Sequence, residues 1–300
     1  MSEAVLAAPA PGYTDIRVGV GRACGTFGEL LQGALPEPAS DFLVTLPITR
    51  WSAATFVPGP EPGVRCVSAG KWKAWRLAEM MLSRYGVPGG GLLRIDSELP
   101  EGKGMASSSA DLVATARAVA AAIGVTVTPA RIEDLLREIE PTDGVMYTGV
   151  VAFHHRRVQL RARLGTLPPL TIVGLDEGGT VDTIAFNGMP KPFTTRDKVE
   201  YRYLLDQLAA AVATGDLAMV GRVATRSAVL NQKLRHKRTL RKLIRACRRI
   251  GGLGVVVAHS GTAVGILLAD SDPRYAAKLD RVSQVCAALS DVVWVEHLLR

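Results

Sequence analysis

The 300-residue chain offers no staple for a small fold and no evident metal set. Its four cysteines, Cys24, Cys66, Cys247 and Cys286, form no CxxC pair and no zinc-like spacing, so they read as reduced thiols of a cytoplasmic protein. Residues 1–15, MSEAVLAAPAPGYTD, lack a basic segment followed by a long apolar core and are expected to be a disordered lead, not a signal peptide. No apolar run approaches the roughly 18 residues of a membrane span; the longest candidate, GLGVVVAHSGTAVGILLAD, is broken by Gly, His and Ser. A membrane partner is therefore not expected.

Aromatic residues are scarce at 5%, and none interleaves with the basic run LNQKLRHKRTLRKLIRACRRIGG, which holds much of the net charge of +8. A nucleic-acid groove normally alternates cations with stacking rings, so nucleic acid is not the expected partner. Leu240, Leu243, Ile244, Cys247 and Ile250 fall at helical spacing within the run, which makes the cations the solvated face of a helix or a field for an anionic substrate. Three nucleotide signatures are absent as well. There is no GxxxxGK[ST] phosphate loop, Gly19 to Gly25 is one residue too long for GxGxxG, and neither HRD nor DFG occurs.

What is present suits a soluble globular enzyme: 48% hydrophobic and 21% charged residues, at a length that supports one large domain or two ordinary ones. Ile16 to Val20 reads as a short strand running into GRACGTFGELLQG, whose glycines suggest a turn before a short helix. DFLVTLPITRWSAATFVPG, GVRCVSAG and GLLRIDSELP read as strands. KWKAWRLAEMMLSRYGV reads as an amphipathic helix with Trp75, Leu77, Met80, Met81 and Tyr85 on one face and Gly86 past its end. A helix from Ser108 to Ile123 has an unusually small face, Ala110, Ala114, Ala118 and Ala121, and Thr128-Pro129 opens another that runs to about Glu140. PTDGVMYTGV is a loop and RRVQLRARL strand-like.

Beyond Gly165 come a strand (LTIVGLDEG), two helices and the basic helix. Two strands joined by a Ser-Gly turn follow, then a helix and a closing strand, DVVWVEHL. The mixture lacks regular βαβ repetition, which favours an α+β fold in two lobes, 16–165 and 166–300.

The stretch LPEGKGMASSSADL, Leu99 to Leu112, carries the chemistry. Gly102 and Gly104 permit positive φ and close backbone approach. The loop then becomes the first turn of a helix, whose free N–H groups and positive dipole end attract an anion. Lys103 adds charge, and Ser107, Ser108 and Ser109 add hydroxyls for phosphate oxygens or Mg²⁺. The plainer alternative is a loop with a serine N-cap.

PEGKGMASSSA resembles the signature P-x-x-x-G-L-G-S-S-A-A of the GHMP kinase superfamily, with Pro100, Gly102, Gly104, Ser107, Ser108 and Ala110 in place. Met105 and Ala106 replace Leu and Gly, and Ser109 replaces Ala. Together with CGTFGELLQG, EPTDGVMY, VDTIAFN and VAHSGTAVGILL, the wording is similar to the L-threonine kinase branch, which serves the aminopropanol arm of cobalamin. The resemblance implies a ribosomal-protein-S5-like N-terminal lobe and a ferredoxin-like C-terminal lobe, with ATP and Mg²⁺ as cofactors. It also implies a hydroxy amino acid as substrate and is compatible with a homodimer.

Under that resemblance, Pro100 and Gly102 to Ser109 would wrap the ATP phosphates, with Ser107 or Ser108 near Mg²⁺. Asp143 would orient the accepting hydroxyl or take its proton; otherwise it is an Asp-Gly turn residue. A Mg²⁺-binding glutamate is expected about ten residues earlier, which selects Glu133, with Glu138 and Glu140 as competitors. Thr26 stands near the lysine of the superfamily's usual first motif. Glu29 and Gln32 either face the cleft or cap a turn. Ser260, Gly261 and Thr262 belong to a glycine-rich closing loop, and His259 reads as a hydrogen-bonded turn histidine. Asp182 and Thr183 match the family wording without a derived role. A zwitterionic substrate also needs a cation for its carboxylate, preferably arginine, and the sequence does not single one out. The alternatives are a kinase for homoserine, serine or a related hydroxy acid, a catalytically silent metabolite-binding homologue, and a basic nucleic-acid binder.

Overall fold

A computed structural model describes residues 17–37, 41–179 and 191–299. The expected lead and the VDTIAFN segment, with Asp182 and Thr183, lie outside the described residues. Ten strands form one continuous sheet in the order β10-β7-β9-β8-β1-β2-β4-β3, with β5 and β6 branching from β2. In the N-terminal half, β1 (Gly19–Ala34) and β2 (Asp41–Gly59) make a long antiparallel pair. The far half of β2 pairs with β4 (Gly90–Ser97), and β3 (Gly63–Cys66) lies parallel on the outer edge. The near half of β2 turns away to pair β5 (Val150–His154), which carries β6 (Gln159–Gly165).

The second half places β7 (Leu170–Asp176) between β10 (Val293–His297) and β9 (Ala263–Ala269), with β8 (Gly254–Val257) inside β9. All of these pairs are antiparallel. The halves meet in the sheet where Glu29 of β1 pairs Val257 of β8. The main apolar core runs across both halves, joining Phe27 and Phe42 to Ile172, Tyr201 and Leu267, and a second, smaller one, including Val173, Leu240, Leu243, Val255, Ile266 and Val282, lies wholly in the second half. The expected α+β two-lobed architecture is what the chain adopts.

Three helices serve the first lobe: α1 (Trp72–Arg84), α2 (Ser107–Ala122) and α3 (Pro129–Arg137). Four follow in the second half of the chain: α4 (Thr195–Thr214), which packs on β1 and β6, α5 (Leu217–Asn231), which packs on β1 and β8, α6 (Leu240–Ile250) and α7 (Tyr275–Ala287). On α1 the buried face is Ala74, Leu77, Ala78, Met81 and Leu82. Trp75, expected on that face, is 42% exposed, because its indole leans over the edge strand to donate Nε1–H to the Val64 carbonyl at 2.8 Å.

The small face expected on α2 has its reason in β1. A Cβ on Gly21 would fall 2.1 Å from the Ala114 carbonyl oxygen, and one on Gly19 2.0 Å from that of Ala118. Strand and helix touch backbone to backbone, with Ala110, Ala114 and Ala118 fully buried, while Ala121 faces out. A Gly21→Ala variant should therefore lose about 2–3 kcal/mol, since nothing softer than a helix backbone can move. The midpoint in a denaturant titration checks this; an unchanged midpoint would show that the helix can retreat freely.

The segment GRACGTFGELLQG is not a turn and short helix but the body of β1. The register shifts between Cys24 and Thr26, Thr26 and Glu29, and Glu29 and Leu31, with Gly28 at φ 56°. Its glycines make close approach, not chain reversal: a Cβ on Gly28 would fall 2.5 Å from the Val257 carbonyl oxygen. The bulged backbone donates instead to the glycine loop, Thr26 N–H to Met105 O at 3.2 Å and Gly28 N–H to Gly104 O at 3.1 Å. A bulge re-aims side chains, and this one turns Glu29 toward the cleft described next.

Candidate active site

α2 begins at the front of a cleft of about 300 Å³ lined by the glycine loop, the first turn of α1, residues 140–143, Glu29, His155, His259 and Ser260. No side chain caps the helix. The residue before it is Ala106, held left-handed at φ 57°, ψ 29°, a strained state for a residue with a Cβ. It stands where the signature carries glycine. None of the three serines is the N-cap. The uncapped amides and the dipole end therefore face open space, which is the geometry of an anion site.

The serines divide the labour. Ser107 lines the cleft wall. The Ser108 hydroxyl donates to the Glu140 carboxylate, which is also paired with the Lys73 ammonium. Ser109 Oγ accepts from the Asp143 backbone N–H at 3.0 Å and from the Thr142 hydroxyl at 3.4 Å, fixing residues 142–143 against the helix. Burial pushes the Asp143 carboxyl up to about 6, and the neighbouring Glu140 charge adds to the rise, against the Ser109 hydrogen bond.

Glu29, 5% exposed, is raised well above the carboxylate range by burial and then by Asp143, against the His259 backbone and Lys237, which lower it. Gln32 ties this end together. Its amide donates to Glu29 Oε2 at 3.3 Å and to Val257 O at 3.0 Å, and its carbonyl meets His259 Nδ1 at 2.8 Å. His259 is thus a hydrogen-bonded histidine as expected, held by the Gln32 side chain, and it also lines the cleft.

Several expected residues lie elsewhere. The Lys103 ammonium turns from the cleft to Asp176 Oδ2 at 2.5 Å and Gly179 O at 2.7 Å. Thr262 binds the same Asp176 through its hydroxyl, and Gly261 packs behind the loop; neither lines the cleft. Pro100 precedes the cleft without lining it. The Glu133 carboxylate is buried outside the cleft, accepting from the Tyr147 hydroxyl and the Leu160 N–H at 2.7 Å each. Glu138 pairs with Arg84 on the surface at 2.5 Å. Of Glu133, Glu138 and Glu140, it is Glu140 that reaches the cleft. The reason is that α3 stops at Arg137, short of the expected Glu140, and a turn that donates the Ile139 and Glu140 N–H groups to Leu136 O delivers residue 140 beside Ser108.

Sequence reasoning missed Lys71, Lys73, Asp111 and His155. Lys71 Nζ meets Glu101 at 2.5 Å and Asp111 at 2.7 Å; burial lowers its pKa, but these carboxylates more than reverse that. A usable signal was present: Lys71 and Lys73 open a helix with no acidic residue in its first turn, where the dipole opposes cations. Cations placed there serve something other than the helix. The basic run also carries more than a solvated face: Arg235 Nε donates to Gly261 O at 3.0 Å, and buried Lys237 donates to the same oxygen.

Residues 73–152 match the family of the GHMP kinases N terminal domain and residues 208–290 that of the GHMP kinases C terminal. The chain belongs to the GHMP kinases. An L-threonine kinase of Salmonella typhimurium is 29% identical over 260 residues, spanning 84% of this chain and 83% of that protein. A homoserine kinase of Moorella thermoacetica is 28% identical over 198 residues, 64% of this chain and 67% of that one. Among solved structures, a homoserine kinase from Cytophaga hutchinsonii superposes with a TM-score of 0.72 at 15% identity, covering 97% of this chain and 98% of that one. No helix among the described residues is long and apolar enough to cross a membrane.

Proposed function

We propose that this GHMP kinase transfers the γ-phosphoryl group of ATP to the side-chain hydroxyl of L-threonine, giving O-phospho-L-threonine. The observation that carries the reading is the uncapped start of α2 opening on a cleft beside Asp143. The relatives named L-threonine kinase support the choice of substrate. The homoserine kinase relative keeps homoserine as the second reading.

In this reading the loop Gly102 to Ser109 and the first amides of α2 cradle the polyphosphate, while Lys71 and Lys73 offset its charge across the cleft. The donor set at Ser108 and Glu140 suits Mg²⁺, a hard cation that takes oxygen ligands and keeps phosphate or water among them. Among the described residues no three His, Cys, Asp or Glu are grouped to hold a metal by themselves, so the phosphates would complete the shell. When bound, the ion would neutralise charge on the β- and γ-phosphoryl oxygens. Asp143, anchored through Ser109, orients the acceptor hydroxyl and takes its proton as the oxygen bonds to phosphorus. Glu29 holds the other end of the acceptor, and Ser260 closes that wall. Most of the rate then comes from placement and charge, as phosphoryl transfer requires.

An ADP-release assay over L-threonine, L-serine, L-homoserine, galactose and mevalonate, with and without Mg²⁺, tests the reading. Threonine should give the highest kcat/KM, and only with the metal. Preference for homoserine would transfer the assignment to the second reading, and turnover of a sugar or mevalonate alone would overturn both.

A further inference from the structure

The acceptor end of the cleft contains a group that the scheme above leaves unused. His155 is 2% exposed and lines the cleft, yet neither ring nitrogen has a hydrogen-bond partner among the described residues. Its backbone is fixed, since its carbonyl accepts from the Thr142 N–H at 3.0 Å, on the same segment as Asp143. Its ring meets that of His259 edge-on, with centroids 4.8 Å apart. A buried imidazole carries one N–H donor and one acceptor. Leaving both unmet is costly, and an exception of this kind in a cleft calls for a ligand.

The charges around the ring state what kind of group would meet it. Two carboxyl groups, Glu29 and Asp143, line the same cleft, and the Asp143 charge adds to the cost of ionising Glu29. Around the two histidine rings the charges are mainly cationic: Lys191 and Arg156 act on His155, Asp41 opposes them, and Lys191 and Lys237 act on His259. Burial first, and then these charges, hold His155 neutral, with its pKa down at about 3. A hydroxy amino acid supplies a carboxylate acceptor for the unmet ring N–H of His155, and its ammonium finds the carboxyl groups of Glu29 and Asp143 in the same cleft.

We infer that His155 is a specificity-determining residue that donates a ring N–H to the α-carboxylate of the acceptor amino acid. The inference rests on the hydroxy amino acid reading of the function and adds to it the residue that tells an amino acid from an amino alcohol. A charge-assisted hydrogen bond in a dry site discriminates strongly, because the analogue without the carboxylate leaves the donor unmet.

The test compares wild type, His155→Phe and His155→Gln on L-threonine and on 1-amino-2-propanol, its counterpart without the carboxylate. His155→Phe should raise KM for threonine about 10–100-fold, leave KM for ATP within about twofold of wild type, and leave KM for the amino alcohol unchanged. His155→Gln, which keeps an N–H donor, should recover most of the loss. The unchanged ATP value serves as the check that each variant is folded. An unaltered threonine KM in His155→Phe, or an equal rise for both acceptors, overturns the inference while the kinase assignment stands. If wild type turns over no hydroxy amino acid at all, the functional reading falls and this inference falls with it.

Discussion

Asp143→Asn should lower kcat on threonine by about 10²–10⁴-fold, the range for removing a general base, and at pH 7 it should make the protein more stable. The two effects have one cause. The carboxyl is held at about 6 by burial and by Glu140, against an ordinary 3.8. A carboxyl whose pKa is raised on folding favours the fold when protonated. That contribution is complete below the unfolded value near 3.8 and disappears as pH rises through about 6. At pH 7 the native state therefore carries a charge it would rather lose, at a cost on the order of 2–3 kcal/mol. Asparagine keeps the shape, the backbone N–H contact to Ser109 and a polar side chain for the second Ser109 hydrogen bond, but has no charge to bury.

The expected record is a higher denaturation midpoint for Asp143→Asn at pH 7 to 8, converging on wild type near pH 4. For wild type, kcat should rise with pH through an apparent pKa near 6 as Asp143 ionises, and Glu29, its raised neighbour, should broaden that limb. A variant that retains near-full turnover would remove Asp143 from the chemistry. One that is inactive and also less stable at pH 7 would mean that the carboxylate holds the fold together.

The parts of this site that were legible in the sequence are those a short stretch of chain decides by itself. Gly102 and Gly104 do take positive φ, at 70° and 84°, and the helix after them does begin where its serines begin. These follow from steric rules acting within a few residues. What could not be read depends on residues distant in sequence. Lys103 resembles a phosphate ligand until Asp176 is brought beside it by the second lobe. Glu133 has the expected spacing, but which of the three candidate glutamates reaches the cleft is set by where α3 ends. The glycines of β1 read as a turn because glycine usually marks one; here they are small because α2 lies against some and the loop and β8 against others. His155 gave no local signal, since the meaning of a buried histidine lies in what surrounds it.

The joint between the lobes is the second place where a small change should have a large effect. A Cβ on Gly261 would fall 2.0 Å from the Lys103 carbonyl oxygen and 2.1 Å from the Gly104 nitrogen. The closing loop thus rests backbone on backbone against the glycine loop. The Lys103 oxygen in turn accepts from Thr262 and Ala263 N–H groups at 3.1 Å each, and the Lys103 side chain grips Asp176. From behind, Arg235 and Lys237 hold the Gly261 carbonyl. Gly261→Val would wedge the two loops apart, stretching these hydrogen bonds and displacing the cradle before α2. The stability cost should be about 2–4 kcal/mol, from overpacking and two strained hydrogen bonds. The catalytic cost should exceed it in effect, because a displacement of about 1 Å in a phosphoryl-transfer site is worth on the order of 10² in rate. KM for ATP should rise and kcat/KM for ATP should fall about 100-fold, with KM for threonine less affected because Glu29 and His155 stand on other elements. Steady-state kinetics with each substrate varied in turn would check this. An ATP KM within twofold of wild type in a folded Gly261→Val enzyme would mean that the glycine loop keeps its shape without support from the second lobe.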